Sequence, residues 1–163
     1  MFVVSHSDTV ALPESVVTKA DLSRLIREVE EYSEVAYQAE VRGSTAPSVH
    51  YASPALQFLA RQQEGILNSR QARHTLLDQL HTLQGVVIPV HVGFASQPSI
   101  KALQQLVVWF RKNVDPSIVV QVGVDPSIIG GCVVRTTNRV FTFTLAEALR
   151  SSQTALAKEV AAL

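Results

Sequence analysis

Val124-Asp125-Pro126-Ser127-Ile128-Ile129-Gly130-Gly131-Cys132-Val133-Val134-Arg135 is a turn set between two strand-like runs, and it decides the reading of the C-terminal half. Pro126 fixes its own φ and biases Asp125 away from helix, so Asp125-Pro126 opens the turn. Gly130 and Gly131 supply backbone angles that a side chain would forbid. Ile128 and Ile129, between the breakers, are expected to anchor the loop in a core. Upstream, Ile118, Val120, Val122 and Val124 alternate as a strand. Downstream, Cys132–Thr136 and Arg139–Thr144 read as a hairpin turned at Thr137-Asn138.

The same logic extends outward. From Val86 the apolar period is two, which marks a strand, and Pro89, unable to donate to a ladder, predicts a place near a sheet edge. After Ser96-Gln97-Pro98 a helix is expected to bury Ile100, Leu103, Leu106, Val107 and Phe110 and to expose Lys101, Gln104, Gln105, Arg111 and Lys112. Thr144-Leu145-Ala146-Glu147 has the spacing of a capping box opening a final helix with Leu145, Leu149, Leu156 and Val160 on one face. Residues 86–163 therefore read as β-α-β-β-β-α, an α+β domain with one mixed sheet covered by helices and a right-handed strand–helix–strand crossover.

From Val124 to Gly131 the chain resembles the C-terminal signature of the δ subunit of F-type ATP synthases, whose mitochondrial counterpart is the oligomycin-sensitivity-conferring protein. That signature runs valine-aspartate-proline-serine, two aliphatics, two glycines. The resemblance spans roughly residues 80 to 163. It implies a non-catalytic subunit of the peripheral stalk, with the ATP synthase α subunits and the b subunit as partners, holding the catalytic head against the torque of the rotor. It implies no cofactor and no small-molecule substrate. Asp125, Pro126, Gly130 and Gly131 carry over as residues that shape the sheet. Where the family begins with six helices, this chain offers three.

Those three lie between residues 18 and 85, the expected helical domain. Thr18-Lys19-Ala20-Asp21 has capping-box spacing, and Leu22, Leu25, Ile26, Val29, Tyr32 and Ala36 follow at helical intervals up to the breakers after Arg42. Ser53-Pro54 can cap a second helix bearing Leu56, Leu59 and Ala60, and Ser69 a third bearing Ala72, Leu76, Leu77, Leu80 and Leu83. Gly85 is placed to end the third. Residues 1–17, with Pro13 and no period, are expected to form an extended arm, mobile or laid along a partner.

Composition narrows the function by exclusion. Formal net charge is zero and 47% of residues are hydrophobic, enough for a core of ordinary size. Residues 1–42 hold eight acids and four bases, residues 43–163 six acids and ten bases. Most of the acids fall on one helix, where Arg24 can pair with Glu28 and Arg27 with Glu31 as a solvated face. No apolar run has the roughly 18 residues of a membrane span. The first residues lack the basic start of a secretory signal, so a bacterial cytoplasmic protein, membrane-associated through partners alone, is expected. Cys132, the single cysteine, reads as a small strand residue.

No glycine-x-serine-x-glycine elbow and no phosphate-binding loop occurs, since Gly130-Gly131 opens a strand rather than a helix. His74 and His81 share a helix face but stand about 10 Å apart, too far for one metal. Asp125 lacks the second group that acid–base work requires. An adaptor of another assembly and a small RNA-binding protein are the alternatives, the latter suggested by the glycine loop Ile128-Ile129-Gly130-Gly131 and a modest positive excess in residues 86–163; Phe141 and Phe143 share a strand face and could stack bases but are expected in the core. One of Val108 and Trp109 is expected to leave the apolar stripe of its helix and mark a partner surface. Leu156 and Val160 are the other candidate contacts.

Overall fold

The computed structural model describes residues 10–45, 48, 52–62, 65–136 and 138–145. Among them are four helices, α1 (Lys19–Val41), α2 (Pro54–Gln62), α3 (Arg70–Val86) and α4 (Ile100–Asn113), and four strands, β1 (Ile88–Phe94), β2 (Ile118–Val124), β3 (Gly131–Arg135) and β4 (Val140–Thr144). They group into two compact units. One comprises the chain up to Ile88 together with Gln104–Val119; the other comprises Pro89–Leu103 and the chain from Val120 onward.

The first unit is built on α1. Its start is the capping box expected from the sequence, with the Asp21 N–H donating to Thr18 Oγ1 and the Thr18 N–H to Asp21 Oδ2. Its end is the Arg42 cap followed by Gly43 at φ 68°, the left-handed conformation glycine reaches without steric cost. Leu22, Leu25, Ile26, Val29 and Ala36 are buried along one stripe. Leu22, Leu25, Ile26 and Val29 share a core with Leu56 and Leu59 of α2 and with Leu76, Leu80 and Leu83 of α3. Burying each such leucine contributes about 1.5–3 kcal/mol.

Several expectations are corrected here. Glu28 does not pair with Arg24. It accepts from the Ser53 N–H at 2.7 Å and from the Ser53 hydroxyl, while Ser53 Oγ in turn accepts from the Leu56 N–H and caps α2. Arg24 turns instead to Asp21 at 2.9 Å. Gly85 does not end α3, which runs on to Val86 because the Val87 N–H still reaches the Leu83 carbonyl. Residues 10–17 are irregular, yet Val10, Leu12 and Val16 belong to the core of their own chain.

That segment is also bonded by Arg111 of α4, expected to face solvent. Its guanidinium donates to the carbonyls of Pro13 (2.8 Å), Val16 (2.5 Å), Ile118 (3.1 Å) and, more weakly, Leu12 (3.4 Å). A guanidinium has five donors in a rigid fork, which suits a stretch of irregular backbone whose carbonyls lack ladder partners. On the same helix Val107 and Phe110 are buried, whereas Ile100, expected inside, is 75% exposed in the first turn.

The four strands form one mixed sheet in the order β2-β1-β3-β4. β1 is interior, which corrects the edge position inferred from Pro89. The Ile88 N–H points toward β2, bonding the Ser117 carbonyl, so the nitrogen of Pro89 points to the opposite side. There the antiparallel pairing with β3 begins only at His91, opposite Arg135, so no ladder bond is lost. β4 pairs with β3 from Val140 opposite Arg135 to Thr144 opposite Gly131. The final helix expected after Thr144 falls at residues 146–163, outside the described residues.

Candidate partner interface

The turn that opens the C-terminal motif is held by its own side chains. Asp125 Oδ1 accepts from the Ser127 N–H at 3.0 Å and from the Ser127 hydroxyl at 2.6 Å. These bonds hold the Asp125 carboxyl below its ordinary range, the hydroxyl contributing most, the N–H next and the charge of Arg135 least. The loop is bonded to the end of β1 from the Asp125 N–H to the Phe94 carbonyl (2.8 Å), and the Ala95 N–H, one residue past β1, donates to the Gly131 carbonyl (3.1 Å). The loop is also bonded to the end of β4, from the Leu145 N–H to the Gly130 carbonyl.

Gly131 is required twice over. Its φ is 90°, and a Cβ there would lie 2.0 Å from the Phe143 carbonyl oxygen. Gly130, at φ 69°, would bring a Cβ to 3.2 Å from that of Leu145. Asp125, Pro126, Gly130 and Gly131 are thus gathered in one turn that bonds to both β1 and β4. The two isoleucines divide: Ile128 is half-buried, its Cδ1 above Gly93, but Ile129 is 66% exposed, so one residue anchors the loop where two were expected.

The remaining candidates separate in the same way. Trp109 is 55% exposed on α4, its ring edge-on to Phe110 with centroids 5.4 Å apart, while Val108 is half-buried. Leu156 and Val160 lie outside the described residues. Phe141 and Phe143, expected in the core, are 43% and 63% exposed. Both lie on the terminal strand of the sheet, opposite Val134 and Cys132, with no described strand on their outer side. Desolvation raises the pKa of the Cys132 thiol, which is half-buried.

The opposite face of the sheet is concave. Pro89, His91 and Gly93 of β1, Gln121 and Gly123 of β2, and Val133 and Arg135 of β3 border a groove of about 470 Å³. Alternation places these odd-numbered positions together, and Val90, Val92, Val120 and Val134, on the other face, are buried.

Two cationic positions and this groove were not legible as a site in the sequence. Arg111 lies four residues after Val107, one turn along the buried stripe, and that step was the available signal. Arg73 is wholly buried on α3, bonded to the Leu67 carbonyl and to Glu40 at 2.8 Å, with its Nε unpartnered. Its spacing to Leu76, Leu80 and Leu83 is that of a core position. Of the histidines, His74 meets Asp78 at 2.9 Å and His81 approaches Glu30 at 3.5 Å. Among the described residues no three metal-ligating side chains converge, and no helix is long and apolar enough to cross a membrane.

Comparison with known proteins places this geometry in context. The sequence model of one family, ATP synthase delta (OSCP) subunit, matches residues 62–156, more than half of the chain. A search of curated proteins finds no match. The matched span runs from the end of α2 through the whole sheet and includes every residue of the Asp125–Gly131 turn.

Proposed function

Because the chain belongs to the ATP synthase delta (OSCP) subunit family, a family of structural subunits of the peripheral stalk, we propose that it joins the catalytic head to the b subunit and resists the torque of the rotor. The observation that carries the reading is the family match over the sheet and its Asp125–Gly131 turn. A joint of this kind works by stiffness and broad contact rather than by a reactive group.

In this reading residues 18–85 face the α subunits and residues 86–163 face b, with Val108, Trp109, Leu156 and Val160 as contacts. The exposure of Trp109 supports its part, since a large aromatic on the surface of a helix is the kind of residue that anchors an interface. The protein attaches to the inner face of a bacterial plasma membrane through its partners. Affinity purification of the tagged chain from gently solubilised host membranes, with mass spectrometry of what is bound, tests it. Recovery of α, β and b subunits in comparable amounts is expected. An intact tagged chain recovered without them refutes the assignment.

A further inference from the structure

β4 is the terminal strand of the sheet, and among the described residues no strand lies on its outer side. The bonds that flank it, from the Thr136 N–H to the Arg139 carbonyl and from the Leu145 N–H to the Gly130 carbonyl, set the phase of its ladder. Bonded and non-bonded pairs alternate along antiparallel strands, so the N–H and C=O groups of Phe141 and Phe143 turn toward β3, opposite Val134 and Cys132. Those of Val140, Thr142 and Thr144 turn outward, where no ladder partner stands among the described residues.

This edge carries none of the devices that ordinarily discourage pairing. From Val140 to Leu145 there is no charge and no proline, and all but Leu145 are β-branched or aromatic. Val140, Phe143 and Leu145 are more than half exposed. Val140-Phe141-Thr142-Phe143-Thr144 is also close to a palindrome about Thr142. Laid antiparallel on a second copy, with a two-fold axis at Thr142, it sets Thr142 against Thr142, Val140 against Thr144 and Phe141 against Phe143. The outward-facing residues then meet only one another, and each such pair exchanges both of its backbone hydrogen bonds. The phenylalanines fall at the non-bonded positions, where side chains stand closest and aromatic pairs stabilise a sheet. A slip of one residue would oppose outward groups to inward ones and form no ladder. Arg139, the nearest charge, falls opposite Leu145 of the second copy, so like charges are not opposed.

We propose that the full-length chain, when free, pairs with a second copy of itself through β4, in an antiparallel two-fold junction centred on Thr142 that joins two sheets into one. An isologous contact closes on itself, so association stops at the dimer. One pair of short strands lies at the small end of specific interfaces, and half-dissociation is expected on the order of 10–100 μM. The junction needs no other subunit and stands independently of the stalk reading.

Sedimentation velocity of the full-length chain between about 1 and 500 μM tests this, since the range brackets the expected dissociation constant. The weight-average mass is expected to rise from 17.8 kDa toward twice that value. Thr142→Lys sets two exposed like charges directly opposite each other; it is expected to weaken association about tenfold or more, less at high salt, with the melting temperature of the dilute chain unchanged. The register is read by crosslinking. Bonded pairs have Cα atoms about 5.5 Å apart, within disulfide reach, so Thr142→Cys in a Cys132→Ser background is expected to give a covalent dimer on mild oxidation. Val140→Cys in the same background, whose counterpart lies four residues along, is expected to stay monomeric. A single 17.8 kDa species at every concentration overturns the proposal, and is the result expected if residues 146–163 occupy this edge instead. A dimer that Thr142→Lys leaves within twofold, or crosslinking as fast at Val140 as at Thr142, overturns it as well, because the contact then lies elsewhere.

Discussion

Replacing Arg111 with alanine should unfasten residues 10–17. Three of its bonds, to Pro13, Val16 and Ile118, are 3.1 Å or shorter, and each hydrogen bond from a charged donor contributes about 1.5–3 kcal/mol. Against this stands desolvation, which lowers the Arg111 pKa to about 10. Allowing for partial solvent screening, holding the charge there costs on the order of 2–3 kcal/mol. The net loss on removal is then about 1.5–7 kcal/mol, or roughly 3–28 °C in melting temperature for a chain of this size. Urea unfolding gives the free energy, and amide hydrogen exchange gives its location, because protection should vanish first at Val16, whose N–H bonds the Pro13 carbonyl. Arg111→Lys should recover less than half of the loss, since one ammonium cannot span carbonyls that a planar fork reaches together. A change under about 0.5 kcal/mol, with exchange at residues 10–17 unaltered, would refute the reasoning.

Glu28→Ala leaves the Ser53 N–H without its acceptor at the start of α2 and should cost about 1–2 kcal/mol by urea unfolding. Gly131→Ala places a methyl against the Phe143 carbonyl and should cost more than about 3 kcal/mol, seen as loss of soluble protein, whereas Gly43→Ala, at a positive φ but in open space, should cost about 1 kcal/mol. Since the Asp125 carboxyl titrates below its ordinary range, its contribution to stability is present above the unfolded-state pKa and is lost as pH falls through the lowered native value. Asp125→Asn should remove that component from the acid-unfolding curve; an unchanged curve would contradict it.

The elements were legible because local signals agreed with one another. Thr18 with Asp21, Ser53 with Pro54, and Ser69 each start a helix as their chemistry predicts, and the period change at Val86 locates the first strand to within two residues. The misreadings share a physical form. Local rules predict a sheet edge for Pro89, solvent for Arg111 and an Arg24 pair for Glu28, but their positions are set by distant partners: the extent of β3 pairing, the carbonyls of residues 12–16, and the cap of α2. Phe141 and Phe143 carry the alternation of a core strand, and only the strand order reveals that theirs is the last one. The turn of the candidate site was readable because Asp, Pro and Gly act locally. The groove was not, because it arises from four separate stretches brought side by side.

The bond between Arg111 and the Pro13 carbonyl joins residues 98 apart in sequence. A ribosome adding 5–20 residues per second needs roughly 5–20 s to bring the second partner into existence after the first. Through that interval Val10, Leu12 and Val16 have left the ribosome with their clamp unmade, and their apolar side chains are open to chaperones, proteases or neighbouring nascent chains. Synthesis of α4 therefore acts as a clock for the amino terminus: truncated products ending before Arg111 should be cleared from the cell faster than their helical content alone would suggest.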